Sequence, residues 1–315
     1  MSGPRIAPAL IHEVRTGLLA TPKRLPPSLF YDAAGSALFE RITELPEYYP
    51  TRTERGILQS HAADMLGSAG SDLDLVELGS GSSAKTHLLL RALLERQGHG
   101  VYAPIDVSSS ALDQATAALA ASFPQLDVRP VHADYREGLA SLKRHGTRRL
   151  VLFLGSTIGN FDPIHATDFL RSVRETLQPG DALLIGMDQA KAPAILIPAY
   201  DDSLGITARF NLNVLARLNR EWGADFRLES FRHAALWNEL ESRIEMHLES
   251  QARQTIHIAA LGLDIVMEIG ERIHTENSYK YRPGVGESIL QEAGWTLERN
   301  WMDEQRWFAL HLARA

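Results

Sequence analysis

The chain contains no cysteine. That excludes disulfide staples, thiolate metal sites and cysteine nucleophiles, and it accords with a reducing compartment. No apolar run approaches the ~20 residues of a membrane-spanning helix. The opening stretch, MSGPRIAPALIHEVRTG, lacks the apolar core of an export signal. A cytoplasmic location without membrane attachment is therefore expected. A basic excess is missing too: 39 acidic residues against 32 Lys and Arg give a net charge of −7. The two signs are interspersed, which leaves no footprint for nucleic acid. Among the 12 histidines there is no HxxH or HExxH pair, and His247, His257 and His274 lie scattered over strand-like stretches. No metal site is expected.

What is present is ordinary globular material. With 315 residues, 44% of them hydrophobic, the chain suits one large domain or two closely associated ones. Residues 1–60 read as short helices and loops, with helical spacing in SALFERI, a proline-bounded PEYYP and a helical GILQSHAADML running on past them. From residue 73 short apolar strands alternate with longer amphipathic helices. Strands are expected at 74–78, 101–106, 127–134, 150–156 and 182–188, and helices at 84–97, 109–122, 136–144 and 163–178. Such alternation builds a parallel α/β sheet with right-handed crossovers. Beyond Asp188 it stops. A helical stretch with an amphipathic run from Thr207 to Trp222 precedes three strand-like segments, SRIEMHLES, QTIHIAAL and DIVMEIGERIH. They look antiparallel, so 190–282 reads as an insertion forming a second unit. The tail, a helix at 286–294 followed by WTLERNWMD and RWFALHLARA, predicts a hairpin that adds an antiparallel strand to the sheet.

VELGSGSSAKTHLLL is the strongest local motif. A strand ends at Leu78, Gly79-Ser80-Gly81 makes the turn, and a helix begins near Ser82–Lys85. Glycines let the backbone take positive φ and approach a ligand closely, and the helix N-terminus offers free N–H groups. Ser82 and Ser83 are equally good as plain helix caps. Ala84 stands where the third glycine of a dinucleotide fingerprint would fall, which disfavours but does not exclude NAD. Asp106 and Asp134 end the next two strands. At those positions a carboxylate can accept from ribose hydroxyls or an adenine amine, or simply cap the following helix. Three such features at the ends of three successive strands lie where open α/β sheets bind ligands.

Glu77-Leu-Gly-Ser-Gly, an acidic-x-Gly-x-Gly turn closing the first strand, resembles the first motif of the class I S-adenosylmethionine-dependent methyltransferases. The likeness sharpens in LFLGSTIGNF (152–161), LFYDAAGSALFERITELPEYYPTRTE, AYDDSLGITARFNLNVLARLNRE and IHTENS. Together they resemble one family over nearly the whole chain, the L-histidine Nα-methyltransferases that form trimethylhistidine (hercynine) on the way to ergothioneine. The resemblance implies S-adenosylmethionine as cofactor, released as S-adenosylhomocysteine, and free L-histidine and its methylated intermediates as partners. It implies that Tyr31, Tyr48, Asn160 and Tyr200 hold the α-amino and carboxylate groups, with Tyr31 and Asn160 acting in catalysis. It places Glu276 and Ser278 on the imidazole, Met246 in the pocket lining, and Gly155 beside both ligands. Gly79, Ser80, Gly81, Lys85, Asp106, Asp134 and Tyr135 fall on the cofactor side. The expected division is a cofactor-binding domain from 61–195 with 283–315, and a substrate-binding domain from 1–60 with 196–282. A monomer is expected.

The residue chemistry runs the same way. Tyrosine hydroxyls and an Asn amide fix an amino acid without bringing a competing full charge. In IHTENSYKY (273–281), read as a loop following a strand, a carboxylate and a hydroxyl can serve the two nitrogens of an imidazole, whereas an indole satisfies only one of them. Each of these residues taken alone has a plainer meaning: packed tyrosines in PEYYP, a turn residue at Asn160, a helix cap at Asp201–Asp202, a core Met246 and a solvated loop at 276–278. Three rivals remain: a methyltransferase for another aromatic amino acid such as tryptophan, an NAD-dependent oxidoreductase, and a non-catalytic binding protein on this fold.

Overall fold

A computed structural model describes residues 7–142 and 148–315. The first part of the chain holds α1 (Pro8–Leu19), β1 (Lys23–Arg24), α2 (Ala33–Thr43) and α3 (Tyr49–Ala69). There follow β2 (Leu73–Leu78), α4 (His87–Gln97), β3 (Gly100–Asp106), α5 (Ser109–Ser122), β4 (Leu126–Val128), β5 (Val131–His132) and α6 (Tyr135–Ser141). Next come β6 (Arg148–Phe153), α7 (Pro163–Glu175), β7 (Ala182–Asp188), α8 (Pro193–Tyr200) and α9 (Ile206–Trp222). The last part holds β8 (Phe231–Asn238), β9 (Arg243–Ser250), β10 (Gln254–Ile258), β11 (Leu263–Met267), β12 (Arg272–Tyr279), α10 (Val285–Glu292), β13 (Thr296–Met302) and β14 (Phe308–Arg314).

Two compact units result, Met1–Tyr48 with Ala192–Ser278, and Tyr49–Lys191 with Tyr279–Ala315. The boundaries thus fall at 48/49, 191/192 and 278/279 rather than at 60/61, 195/196 and 282/283. The first shift has a clear cause. Pro50 sits in the first turn of α3, where a missing N–H costs nothing, so one helix runs from Tyr49 and packs with the sheet through Ile57, Leu58, Met65 and Leu66.

The larger unit is an α/β sandwich around one sheet in the order β13-β14-β7-β6-β2-β3-β4, with β5 also paired to β3. Strands β4, β3, β2, β6 and β7 are parallel, and β14 runs antiparallel to both β7 and β13. All seven residues of β7 are buried, as expected of a strand covered on both faces. Leu119, Leu90 and Leu58, from α5, α4 and α3, pack one face, while Leu139, Leu170 and Leu290, from α6, α7 and α10, pack the other. Strand order reverses at β2, between β3 and β6. The single strand expected at 127–134 is two short pieces, because Pro130 interrupts it. The helix expected from 84 begins at His87, and that expected over 136–144 spans Tyr135–Ser141, its last two expected residues lying outside the described residues.

The smaller unit has a four-stranded sheet, β1-β12-β9-β8, and a separate antiparallel hairpin of β10 and β11. β8 was not legible as a strand. The run DIVMEIGERIH is not one strand either: it turns at Gly270, φ +78°, where Glu271 Oε2 accepts from the Glu268 amide at 2.9 Å. IHTENSY consequently lies inside β12, not in a loop. Among the described residues no helix is long and apolar enough to cross a membrane.

Candidate active site

At the end of β2 the chain turns through Gly79 (φ +70°) and Gly81 (φ +50°). A Cβ on Gly79 would stand 2.9 Å from the Tyr135 hydroxyl, so no other residue fits there unstrained. A Cβ on Gly81 would meet nothing within 4 Å, which leaves that face of the turn open. Asp106 holds the turn from below: its Oδ2 accepts from the Gly81 amide and its Oδ1 from the Ser108 amide, both at 2.9 Å. Ser80 is buried, and its Oγ has no hydrogen-bond partner among the described residues. Glu77 does not point outward. It lies buried beneath the turn, accepting from Thr86 Oγ1 at 2.8 Å and from the Tyr102 hydroxyl. Burial pushes its carboxyl up to about 7, although both hydroxyls favour the ionised form.

Asp134 is the cap of α6, its Oδ1 accepting from the Arg136 and Glu137 amides at 2.9 Å. Tyr135, next to it, packs edge-on against Phe153 and Phe169, at 5.7 and 5.8 Å between ring centres. Burial raises its phenol well above the ordinary tyrosine range.

After β6 the backbone goes left-handed twice, at Gly155 (φ +76°) and Ser156 (φ +57°), then forms a short 3-10 turn over Thr157–Asn160. The Gly155 amide donates to Glu54 Oε1 at 2.8 Å, and Glu54 also pairs with Lys85 Nζ. Gly159 lets this turn pass the Tyr279 backbone, since a Cβ would stand 2.9 Å from the Tyr279 carbonyl oxygen. Asn160, half-buried, ends the turn. Ser156 Oγ accepts from the Asp188 amide at 2.9 Å. Asp188 is fully buried and pairs with Lys280 at 2.8 Å and Lys191 at 2.5 Å, and it accepts from Tyr49 Oη at 2.6 Å. Burial works against its charge, but the two ammoniums hold its carboxyl below the ordinary range.

The smaller unit gathers the other residues expected in the site. Tyr31 meets Phe39 and Phe210 edge-on at 6.1 and 6.2 Å, Phe39 meets Tyr48 at 6.2 Å, and Tyr48 meets Tyr200 at 6.1 Å. At the end of this row Tyr200 Oη lies 2.8 Å from Ser278 Oγ, and the Tyr200 carbonyl is bonded to the His233 ring at 2.8 Å. Along β12 Ile273 and Thr275 are buried, and then Glu276 and Ser278. Neighbouring residues are buried in succession at Thr275–Glu276 and again at Ser278–Tyr279, so burial does not alternate along this strand. His274 Nε2 is bonded to Asn277 Oδ1 at 2.8 Å. Glu276 and Ser278 are buried and not solvated. Met246, on β9, is 2% exposed and its carbonyl accepts from Thr275 Oγ1, a core position by packing. Asp202 accepts from the Ile206 and Thr207 amides and so caps α9. Two of the scattered histidines prove to be neighbours, His247 and His274, with ring centres 5.2 Å apart.

Glu54, Asp188 and Lys280 were not singled out in the sequence. Asp188 and Lys280 gave a weak sign, as charges closing otherwise buried runs. Glu54, one acid among arginines in PTRTERG, gave none.

Strand order, reversed last strand and glycine turn together define a class I S-adenosylmethionine-dependent methyltransferase. The residues present fit that cofactor: an open Gly81, a buried unpartnered Ser80 hydroxyl and carboxylates at two strand ends suit a ligand rich in hydroxyl and amino groups. The chain belongs to the histidine-specific, S-adenosylmethionine-dependent methyltransferases, whose family model matches residues 10–315. It is similar to a histidine N-alpha-methyltransferase of Mycolicibacterium smegmatis, 48% identical over 98% of this chain and 95% of that protein. A protein of the same description from Mycobacterium tuberculosis is 45% identical over 97% of this chain and 94% of its own length. An ergothioneine biosynthesis protein 1 of Neurospora crassa is 33% identical over 92% of this chain, which spans 33% of that longer protein.

Proposed function

We propose that this enzyme transfers methyl groups from S-adenosylmethionine to the α-amino nitrogen of free L-histidine, three times in succession, giving trimethylhistidine for the ergothioneine pathway. The observation that carries the choice of substrate is the buried pair on β12. Glu276 is 7% and Ser278 5% exposed, and Ser278 is bonded to Tyr200 at the end of a row of aromatic rings. An imidazole offers an N–H that a carboxylate can accept and a second nitrogen that a hydroxyl can meet, which suits this pair. An indole offers one ring nitrogen and a phenyl ring none, so neither can engage both side chains at once.

Tyr31, Tyr48, Asn160 and Tyr200 take the amino acid's own amine and carboxylate. The Asn160 amide can donate to the carboxylate and accept from the amine at once. The sulfonium supplies an electrophilic methyl carbon to an in-line displacement. What the chain contributes is alignment: Tyr31 and Asn160 turn the neutral amine lone pair toward that carbon. No side chain is assigned as a dedicated base; the amine proton leaves through a tyrosine hydroxyl or water. Tyrosine faces accommodate the growing ammonium, whose charge they attract. On the cofactor side Gly79, Ser80, Gly81 and Lys85 would hold the amino-acid end, Asp106 the ribose, and Asp134 with Tyr135 the adenine, with Gly155 beside both ligands. The protein then acts as a cytoplasmic monomer. Isothermal titration with L-histidine and with L-tryptophan tests the substrate choice. Heat from histidine alone is expected, and tryptophan binding of similar strength would overturn it.

A further inference from the structure

Glu54 lies on α3 and its side chain is completely buried. Its place is cut out of the sheet: a Cβ on Gly186 of β7 would stand 2.4 Å from Glu54 Oε1, so glycine at 186 makes room for the carboxylate. From there Glu54 accepts from the Gly155 amide, at 2.8 Å to Oε1 and 3.0 Å to Oε2, and pairs with the Lys85 ammonium. Gly155 opens the loop after β6, and Lys85 lies in the turn after β2. One side chain therefore joins the two loops that flank the point where strand order reverses, the ligand-binding edge of such a sheet. An apolar side chain would pack more cheaply beside Ile57 and Leu58, since a carboxylate is costly to bury even when paired. Lys85 keeps 24% of its side chain exposed while its ammonium is held.

We infer that Glu54 is a positioning residue for cofactor binding: its carboxylate fixes the Lys85 ammonium and the Gly155 amide relative to one another. This rests on the assignment of the glycine turn, Lys85 and Gly155 to the cofactor. Glu54→Gln keeps an acceptor for the Gly155 amide but turns an amide, not a charge, on Lys85. Gly186→Ala keeps the charge and displaces the carboxylate.

S-adenosylhomocysteine binding by calorimetry, with steady-state kinetics, separates the outcomes. The wild type binds S-adenosylhomocysteine. Glu54→Gln binds it at least tenfold more weakly, and the KM for S-adenosylmethionine rises in step while the KM for histidine changes less than twofold. Gly186→Ala shows the same split, and carries the test should the first variant not fold. Binding within twofold of wild type in either folded variant overturns the inference, as does an equal rise in both KM values. A wild type that does not bind S-adenosylhomocysteine at all would instead overturn the cofactor assignment, and the inference with it.

Discussion

Tyr200 Oη and Ser278 Oγ stand 2.8 Å apart with both side chains buried, one at the C-terminal end of α8 and the other on β12. Ser278→Ala takes one hydroxyl out of this pair and out of reach of a bound imidazole. A loss of about 1–3 kcal/mol is expected, seen as a KM for histidine roughly tenfold higher, with the KM for S-adenosylmethionine unchanged. Kinetics that move the cofactor KM instead would contradict the placement of Ser278 on the substrate.

Asn160 closes the 3-10 turn that begins beyond Gly155 and Ser156. Asn160→Ala should weaken histidine binding roughly ten- to hundredfold by the loss of hydrogen bonds to charged groups. S-adenosylhomocysteine binding should change by less than about threefold, well under ~1 kcal/mol. Equal losses for the two ligands in paired calorimetric titrations would remove Asn160 from the substrate role.

Buried Glu77 makes stability depend on pH. Its carboxyl sits at about 7 in the folded chain against 4.5 ordinarily. Between those values the folded state keeps a proton that the unfolded state has lost, so stability falls as pH rises from about 4.5 to about 7 and levels off above. Glu77→Gln should abolish that slope. Urea unfolding at pH 5 and pH 8 should show the wild type losing roughly 2–3 kcal/mol more than the variant. Identical losses in the two proteins would mean that Glu77 does not titrate in this range.

Asp188 neutralises two buried lysines, Lys280 and Lys191. Its carboxyl is held below 3.8, so its stabilising contribution is complete above that pH and is lost as pH falls through the lower, folded-state value. Asp188→Asn strands the two ammoniums and should cost about 3–5 kcal/mol. Calorimetric melting should reveal a midpoint lower by about 5–15 °C. A shift under about 2 °C would show that the lysines find other partners.

The sheet was legible because β6 from Leu150 on and β7 up to Met187 are buried on both faces and so read as unbroken apolar runs. The tail hairpin was legible for a related reason, since β14 is buried over six of its seven residues. β12 was not, because Thr275 and Glu276, and again Ser278 and Tyr279, are buried in succession, without the alternation by which a strand is recognised. PEYYPTRTE looked like a loop because two prolines and several polar residues hid the start of α3, and that shifted the first unit boundary. At the candidate site, the glycine turn and the strand-end acids were visible as motifs. That Asp134 caps the next helix was among the readings of the sequence; that Asp106 also accepts from the Gly81 amide and that Glu77 turns inward to Thr86 and Tyr102 was not, because those partners depend on how the chain folds back. Glu54 was invisible for a further reason. Its partners Lys85 and Gly155 lie 31 and 101 residues away, and no local pattern encodes such pairings.

Mass spectrometry of the purified protein incubated with S-adenosylmethionine and a panel of free amino acids tests the central claim most directly. Histidine, and no other amino acid, should gain the mass of three methyl groups. Methyl transfer to tryptophan or tyrosine in place of histidine, or no transfer to any of them, would contradict the assignment of Glu276 and Ser278 to an imidazole.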